Sequence, residues 1–413
     1  MSLKVPDSCD VVIAGGGLVG SALAVALAEL PLKTLMIEPR DPAALEQPSF
    51  DARVTALANG SVRILDGLGL WPAMAGDVEA ITDIQISEQG ALGATRIAAH
   101  REGVTALGYT VENRVLGAAL WGRLAIAPSF ELATPAVLAG FDVRDDAVVA
   151  HVETGGGRVD VRARVLIAAD GVESSVRSAL AIPAARDDYG QTAIVVNCEI
   201  ERRLHGLALE RFTPDGPLAV LPLPQGRAGL VWTMPSARAA QVIGDSDAKF
   251  CAALDRALGG RLGAVMRLGH RGAYPLRRVR SARVVAARTA LVGNAAVNLH
   301  PVAGQGFNLA LRDVATLAEL FADSLAAGDP DIGRTQVLEA YARWRRRDQA
   351  AVAGFTHGLV RLFGLRGPGL AVARGLALAA FDLMPGAKSA LARHTMGRAG
   401  RLPRLACGRF LQE

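Results

Sequence analysis

The segment from residue 291 to 317 places polar side chains, a proline and closely spaced glycines between an apolar strand and a helix. It reads LVGNAAVNLHPVAGQGFNLALRDVATL, and its helix is predicted to begin at about Asn308. Histidine titrates near neutral pH, so His300 is a candidate proton-relay group, with a buried, hydrogen-bonded structural histidine as the alternative. The segment is either a ligand-binding loop or a glycine-rich loop that caps a helix. Other motifs along the chain distinguish between these two interpretations.

A glycine-rich turn near the N-terminus predicts a nucleotide phosphate site. In CDVVIAGGGLVGSALAVALAELPLKTLMIEP, a short strand, the turn, a small-residue helix and a second strand ending in Glu38 follow one another. Gly15 permits the tight turn, Gly17 lets the backbone approach a pyrophosphate, and Gly20 lets the helix lie close to the sheet. Glu38 follows Gly15 by 23 residues, near the spacing of about 20 expected for an acid that binds ribose hydroxyls. The unit indicates a bound dinucleotide without distinguishing NAD from FAD.

Two further strand ends are predicted to meet the same ligand, because open α/β sheets bind ligands beyond the carboxyl ends of their strands. The strand in ARVLIAADGVESSVRSAL ends at Asp170 and Gly171, and the strand TALVG is followed by Asn294. In FDARVTALANGSVRILDGLGLW, Arg53 precedes a predicted helix that carries Leu57 on its apolar face. Arg53 would reach phosphate or flavin, or else be a surface arginine near a helix start.

These motifs together resemble the aromatic-ring flavoprotein monooxygenases that use a single FAD domain. Within that superfamily the chain is similar to the ubiquinone-biosynthesis hydroxylases, because HPVAGQGFNL, residues 300 to 309, has the form of their flavin-side loop. Members usually carry Gly-Asp at the position where this chain has Gly293 and Asn294. The 2-polyprenyl-6-methoxyphenol hydroxylase branch resembles this chain in carrying Gly-Asn there. Residues 210 to 232 also resemble that branch. Asparagine keeps a hydrogen-bonding side chain for the ribityl hydroxyls and removes one negative charge. The resemblance runs from about residue 8 to 350.

The resemblance implies a set of site residues. Backbone amides from Gly304 to Leu309 would stabilise the reduced, anionic flavin, and Pro301 would line the face where oxygen reacts without offering a competing donor. The implied catalytic residues are Pro301, Gly304, Gly306 and His300. The implied cofactor-binding residues are Gly15, Gly17, Gly20, Glu38, Arg53, Asn113, Asp170, Gly171, Asn294, Gly304, Gly306, Asn308 and Leu309. No metal site is expected.

The implied fold is α/β, with a Rossmann-like FAD-binding domain, an inserted antiparallel β-sheet substrate domain and a helical C-terminal region. Residues 190 to 235 fit the inserted sheet, since short apolar runs alternate there with Gly and Pro, and a helix is predicted at about 245 to 258. The expected FAD-binding domain is discontinuous and has residues 1–79, 99–183 and 273–350. The expected substrate domain has residues 80–98 and 184–272, and the C-terminal region has residues 351–413.

The implied activity is that of an FAD-dependent monooxygenase. NAD(P)H would dock transiently to reduce FAD, because the sequence carries no second dinucleotide fingerprint. O₂ would then form a flavin hydroperoxide, whose distal oxygen is attacked by an electron-rich phenol ring. The expected substrate is 2-polyprenyl-6-methoxyphenol. The alternatives are hydroxylation of another ring position in the same pathway, a non-oxygenating FAD-dependent prenyl-lipid reductase, and a catalytically idle FAD-binding assembly protein.

The composition of the chain indicates which partners and which compartment to expect. Of its 45 basic residues 41 are arginine, a bias of composition that gives no support for nucleic-acid binding. The four cysteines lie far apart without a Cys-x-x-Cys pair, which argues against a disulfide framework or a redox dithiol and favours a reducing cytoplasm. The N-terminal segment has no room for a basic region followed by an apolar signal core.

Charge is unevenly distributed along the chain. The net charge is +5 at pH 7, and nine basic against two acidic residues from Arg361 onward make the C-terminal part +7. Its apolar run GPGLAVARGLALAAFDLMPG is interrupted by Arg374 and Asp382, which disfavours a bilayer span. We expect either contact with the inner face of the cytoplasmic membrane or a helix pair packed on the protein's own core. Assembly into a ubiquinone-biosynthesis protein complex is a further expectation of the resemblance.

Overall fold

Within the residues that the structure describes, which are 5–40, 53–300, 304–364 and 369–412, the chain forms two large β-sheets, two small ones and eleven α-helices. The structure is a computed structural model. In chain order the strands are β1 (Val11–Ala14), β2 (Thr34–Ile37), β3 (Val54–Ala58), β4 (Val78–Ile81), β5 (Asp83–Glu88), β6 (Ala94–Ala98), β7 (Gly108–Glu112), β8 (Phe130–Ala133), β9 (Ala136–Val143), β10 (Val148–Thr154), β11 (Gly157–Ala163), β12 (Val165–Ala168), β13 (Ala184–Ile200), β14 (Leu207–Phe212), β15 (Pro217–Leu223), β16 (Arg227–Pro235), β17 (Val265–Leu268), β18 (Gly272–Ser281), β19 (Val285–Ala286), β20 (Thr289–Leu291) and β21 (Val297–Asn298). The helices are α1 (Leu18–Ala28), α2 (Asn59–Gly67), α3 (Trp71–Met74), α4 (Asn113–Leu124), α5 (Ser175–Ala179), α6 (Ser236–Gly244), α7 (Asp247–Leu258), α8 (Gln305–Ala326), α9 (Thr335–Gly364), α10 (Leu370–Asp382) and α11 (Pro385–Thr395).

The first large sheet has the strand order β19-β20-β12-β1-β2-β8. Strands β20 to β8 run parallel, and β19 pairs antiparallel with β20. All four residues of β1 are apolar and buried, as expected for a parallel strand that is covered on both faces. The carboxyl ends of β1, β12 and β20 therefore lie side by side at one edge of this sheet.

The second large sheet has the order β21-β18-β13-β16-β15-β14-β5-β6, and β17 also pairs with β13. Its pairs are antiparallel except for the parallel pair of β5 and β14. Side chains alternate between its two faces, as the strand period of two requires. On β15, Leu218 and Val220 belong to the core beneath α6 and α7, whereas Ala219 and Leu221 face a cavity.

Two three-stranded antiparallel sheets complete the β structure, with the orders β3-β7-β4 and β9-β10-β11. Every residue of β3 lines the same cavity that the second large sheet faces. The small sheet β3-β7-β4 thus belongs to the wall of the cavity.

The helices of the C-terminal region pack against strands β5 and β6. A Cβ atom on Gly93 would lie 1.7 Å from the carbonyl oxygen of Gly375, so α10 and the β5–β6 turn touch through their backbones. Arg374 of α10 donates to Glu88 of β5 at 2.5 Å. Among the described helices no single one is long and apolar enough to span a bilayer. Helices α10 and α11 have enough length and apolar character only when taken together, and they are bent by 94°.

The expected α/β fold class is confirmed, while several local bounds predicted from the sequence are wrong. Arg53 precedes strand β3, and Leu57 lies within that strand because pairing with β7 overrides the helical pattern. Helix α8 begins at Gln305, three residues earlier than expected. The helix expected at about 245 to 258 is confirmed as α7, whereas α6 before it is not predicted by the sequence. Strand β18 belongs to the second sheet, although the FAD-binding domain was expected to resume at residue 273. The domain division stays a prediction.

Candidate active site

A cavity of about 1070 Å³ lies between the two large sheets. One wall comes from residues that follow β1, β12 and β20, and a second comes from the face of the second sheet opposite α6 and α7. Residues of α9, α10 and α11 form the third wall. Most of the described lining residues are apolar, as is typical of a site for a small molecule with a few polar groups that fix its orientation.

The turn between β1 and α1 has the geometry of a phosphate-binding turn. Gly15 has a φ of +102°, and a Cβ atom there would lie 2.6 Å from the Ala169 carbonyl oxygen. A Cβ atom on Gly20 would lie 2.0 Å from the Gly15 carbonyl oxygen. Gly17 is the N-cap of α1 and lines the cavity, and α1 has no side-chain cap. The first amides of α1 are therefore available to an anion.

Glu38 supports this turn from the end of β2. Its Oε2 accepts the Gly16 N–H at 2.6 Å, and its Oε1 accepts the Arg40 N–H at 3.1 Å. The side chain is buried and does not line the cavity. An ionised carboxylate has about four acceptor sites, so these two bonds leave capacity for ribose hydroxyls.

Asp170, Gly171 and Asn294 follow the neighbouring strands β12 and β20. Asp170 Oδ2 accepts bonds from the Ser175 hydroxyl at 3.1 Å and the Val176 N–H at 3.2 Å. Its Oδ1 is buried and has no hydrogen-bond partner among the described residues. Gly171 and Asn294 line the cavity, and Asn294 is exposed.

The start of α8 brings backbone amides to the same cavity. Gly304 is its N-cap, with a left-handed φ of +59°, and no side chain caps the helix. The amides of Gly304 and Gly306 have no acceptor within the helix, because the first four N–H groups of an α-helix lack one. Leu309 lies in the second turn and is buried in the core, so its amide belongs to the helix. Pro301 lies outside the described residues.

Asn308 lines the cavity, but its side chain is engaged by the backbone. Its Oδ1 accepts the Ala58 N–H at 2.8 Å, and its Nδ2 donates to the carbonyls of Ala56 at 2.8 Å and Gly304 at 2.7 Å. These three bonds fasten the start of α8 to β3. The structure therefore gives Asn308 a positioning task that the sequence did not suggest.

His300 lines the cavity and is almost fully buried. Its Nε2 lies 3.3 Å from Gln191 Oε1, and its ring meets the edge of the Tyr189 ring with centroids 5.0 Å apart. Burial lowers the pKa of His300 to about 4. The imidazole is therefore neutral at pH 7, and the role of His300 in proton transfer stays a prediction.

Arg53 and Asn113 lie on another part of the lining. The Arg53 guanidinium lies over the Tyr274 ring at 4.9 Å from its centroid. Asn113 begins α4, and its Oδ1 accepts the Thr55 hydroxyl at 2.6 Å. The predicted residues that the cavity brings together are Gly17, Arg53, Asn113, Gly171, Asn294, His300, Gly304, Gly306 and Asn308. Those outside the described lining are Gly15, Gly20, Glu38, Asp170 and Leu309.

A buried ion pair behind the site was missed by the sequence reasoning. Asp313 of α8 accepts a bond from Arg345 of α9 at 2.7 Å, and it also accepts the Gly293 N–H at 3.4 Å. Burial raises the pKa of the Asp313 carboxyl in spite of the adjacent guanidinium. A signal was present in LALRDVATL, where two charges interrupt an apolar helical run. The pair fixes the strand end that carries Asn294.

The residues present fit a flavin dinucleotide. The uncapped start of α1 suits a pyrophosphate, and the unpartnered Oδ1 of Asp170 suits a hydroxyl donor. The uncapped start of α8 suits an electron-rich ring edge. All three features belong to adjacent strand ends, which is where open α/β sheets bind nucleotides.

Comparison with known proteins supports this fit. The chain matches the family described as FAD binding domain over residues 8–356. It is 40% identical over 389 residues to ubiquinone hydroxylase UbiL of Rhodospirillum rubrum, covering 94% of this chain and 89% of that protein. It is 35% identical over 376 residues to the 3-demethoxyubiquinol 3-hydroxylase of Escherichia coli, covering 88% and 94%. With the mouse ubiquinone biosynthesis monooxygenase COQ6 it shares 29% identity over 402 residues, covering 86% and 84%.

Solved structures share the fold. The p-nitrophenol 4-monooxygenase PnpA of Pseudomonas putida superimposes with a TM-score of 0.79 at 17% identity, covering 96% of this chain and 100% of that one. The flavin-dependent monooxygenase PieE, in complex with FAD and substrate, gives 0.71 at 17% identity, covering 95% and 72%. The family match and the relatives show both the cofactor and the family: the chain binds FAD and belongs to the FAD-dependent ubiquinone-biosynthesis hydroxylases, a family of monooxygenases.

Proposed function

We propose that this protein hydroxylates a polyprenylated phenol of ubiquinone biosynthesis, with 2-polyprenyl-6-methoxyphenol as its substrate. The observation that carries the proposal is a single cavity that joins the starts of α1 and α8 to an apolar sheet face. FAD held there would accept electrons from NAD(P)H and supply the activation of O₂ for oxygen transfer. The choice of phenol rests on Asn294 and on the resemblance of residues 210 to 232.

The chain's own residues would hold the cofactor at the strand ends. The first amides of α1, with Gly17 at the N-cap, would bind the pyrophosphate, and Glu38 would hold the turn and meet the ribose. Asp170 and Asn294 would bind hydroxyl groups of the linker. The amides of Gly304 and Gly306 would stabilise negative charge on the flavin ring, since helix N-termini favour anions.

The apolar walls suit the substrate's ring and prenyl tail. Ile84 and Ile86 of β5 and Leu378 and Phe381 of α10 all line the cavity, so a tail can be buried between the sheet and the C-terminal helices. The opposite side of α10 exposes Val372 and Leu376 to solvent. We therefore propose that α10 also rests on the membrane surface where such a substrate is dissolved.

A second ring position is favoured by one relative. The Escherichia coli protein that shares 35% identity with this chain is named a 3-demethoxyubiquinol 3-hydroxylase. Its substrate class has a more substituted ring than 2-polyprenyl-6-methoxyphenol. Hydroxylation of that later ring is accordingly the second candidate function.

The two candidates are separated by mass spectrometry of lipid extracts from cells that lack this protein and grow with oxygen. Accumulation of 2-polyprenyl-6-methoxyphenol supports the first candidate, and accumulation of a demethoxyubiquinol supports the second. Unchanged ubiquinone with no accumulating phenol contradicts both. As a control, the same cells carrying the wild-type chain should regain the normal lipid profile.

Turnover by the purified protein separates a hydroxylase from the non-oxygenating and idle alternatives. The FAD-loaded chain is supplied with NAD(P)H, ¹⁸O₂ and a short-tailed 2-prenyl-6-methoxyphenol. One ¹⁸O atom in the product ring is expected. Reduction of the substrate without oxygen incorporation would favour a prenyl-lipid reductase, and complete inactivity with bound FAD would favour an assembly protein.

A further inference from the structure

Glu210 places a carboxylate in an otherwise apolar part of the cavity wall. It lies on β14 opposite Ala219 of β15 and Ile86 of β5, and all three residues line the cavity. Phe212, the next residue on the same face, stacks on Phe363 of α9 with ring centroids 3.4 Å apart. The carboxylate is thus held between apolar strands beneath the C-terminal helices.

Glu210 is half-buried, and its carboxylate has no hydrogen bond or ion pair to any described residue. The other titratable or charged groups in the described lining are Arg53, Tyr274, His300 and Arg374. Arg374 is engaged by Glu88, and Arg53 lies over Tyr274. Burial raises the pKa of Glu210 to about 7, with no neighbouring charge opposing it. Glu210 is the one carboxylate in the part of the lining that the structure describes.

An unpaired carboxylate in an apolar environment is destabilising unless something donates to it. A prenyl tail cannot do so, but a ring hydroxyl can. We propose, on the basis of the function proposed above, that Glu210 binds the phenolic hydroxyl of the substrate and acts as its general base. The phenolic O–H bond breaks, the proton moves to a Glu210 oxygen, and the electron pair stays on the phenolate oxygen.

This assignment has a chemical reason. A phenolate donates electron density to its ring more strongly than a phenol does, and oxygen transfer requires an electron-rich ring. A phenol has a pKa of about 10, so little phenolate exists at pH 7 without a base. A general base is most effective when its pKa lies near the working pH, and burial brings Glu210 there.

The experiment compares the wild type with Glu210→Gln, and uses Glu199→Gln as the control. Glu199 lies in the same sheet and pairs with Arg267 at the surface. Each FAD-loaded protein is assayed with 2-prenyl-6-methoxyphenol from pH 5 to 9. The wild-type kcat/KM should rise through about pH 7 as Glu210 ionises. Glu210→Gln should lose this rise and fall about 100-fold at pH 7, while Glu199→Gln keeps both.

A binding measurement provides a readout that does not depend on turnover. Phenolate absorbance is titrated with the phenol bound to the oxidised protein. Ionised Glu210 disfavours a second negative charge beside it, so the wild type should ionise the bound phenol at a higher pH than Glu210→Gln does. A Glu210→Gln protein with the wild-type pH profile and phenolate titration overturns the role of Glu210 and leaves the proposed function intact. A wild-type protein that neither binds nor hydroxylates the phenol overturns both.

Thermal melting shows whether the variant folds. Folding raises the pKa of Glu210 from its ordinary value of 4.5 to about 7. Between about pH 4.5 and 7 the folded chain therefore keeps a proton that the unfolded chain has released. The wild type therefore loses stability as the pH rises through that window. Glu210→Gln should melt above the wild type at pH 8 and together with it at pH 4.

Discussion

Arg345 of α9 donates from its Nε to Asp313 Oδ1 of α8 at 2.7 Å, with both side chains at most 2% exposed. Gln349 donates to the same oxygen at 3.1 Å, and Arg345 also pairs with Asp348 at 2.7 Å. The second oxygen of Asp313 accepts the Gly293 N–H, one residue before Asn294. The strand end before Asn294 is thus held by charged side chains that do not themselves line the cavity.

Asp313→Asn should destabilise the protein by about 3–5 kcal/mol, because removing one partner leaves a buried guanidinium without full compensation. Urea denaturation at pH 7 measures the loss. The matched control is Glu339→Gln, which removes the exposed pair of Glu339 with Arg343 and should cost less than about 0.5 kcal/mol. Equal effects of the two substitutions would contradict the importance of the buried pair.

Gly20→Ala should weaken FAD binding at least roughly tenfold, corresponding to about 1.4 kcal/mol. Its new Cβ atom would lie 2.0 Å from the Gly15 carbonyl oxygen and would push the phosphate turn away from α1. Gly122→Ala is the control, since Gly122 also lies in a helix, α4, and a Cβ atom there meets nothing within 4 Å. Flavin fluorescence titration measures both affinities, and normal affinity in Gly20→Ala would rule out the proposed role of the turn.

Asp382→Asn should loosen α10 at neutral pH. Bonds from the Lys388 ammonium and the Arg96 N–H lower the pKa of Asp382 from 3.8 to about 2. Its stabilising contribution is therefore present above about pH 4 and is lost as the pH falls toward 2. Hydrogen exchange of the 370–382 peptide should be faster in Asp382→Asn at pH 7, whereas the exposed substitution Asp66→Asn should leave it unchanged. Identical exchange in both variants would mean that other contacts hold α10.

Leu376→Asn with Leu383→Asn should reduce binding to anionic vesicles without unfolding the protein. Leu376 and Leu383 are 67% and 82% exposed, and surface substitutions of this kind usually change stability by about 0.5 kcal/mol or less. Ile126→Asn, at another exposed apolar position, is the control. Vesicle flotation that is unchanged in the double variant would refute membrane contact through α10. Deletion of residues 361–413 is a weaker test, because it also removes a wall of the cavity.

Local motifs were predictable, whereas long-range partners were not. The need for glycine at positions 15 and 20 could be predicted from their spacing alone. The atoms that a Cβ there would meet belong to the same βαβ unit and to the end of the neighbouring parallel strand. The engagement of Asn308 by β3 could not be foreseen, because its partners lie about 250 residues away along the chain. The sequence does not indicate Glu210 for the same reason, since the burial of this residue depends on strands and helices that lie far from it along the chain.

Two charged residues of α10 have a role in the structure that differs from the one their sequence pattern indicates. In the sequence, Arg374 and Asp382 are charges that interrupt an apolar run. In the fold Arg374 binds Glu88, and Asp382 accepts the Thr95 hydroxyl at 2.9 Å. A charge pattern alone does not distinguish a solvated residue from one that anchors a helix to a distant strand.

The cavity wall formed by α9, α10 and α11 leaves the ribosome after every other part of the lining. Nascent chains emerge at about 5–20 residues per second, and their N-terminal parts fold first. The phosphate turn, the second sheet and the start of α8 are synthesised before Phe355, the first lining residue of that wall. Synthesis of the chain therefore includes an interval in which the predicted FAD-binding residues are all present and one side of the cavity is still open to receive the cofactor.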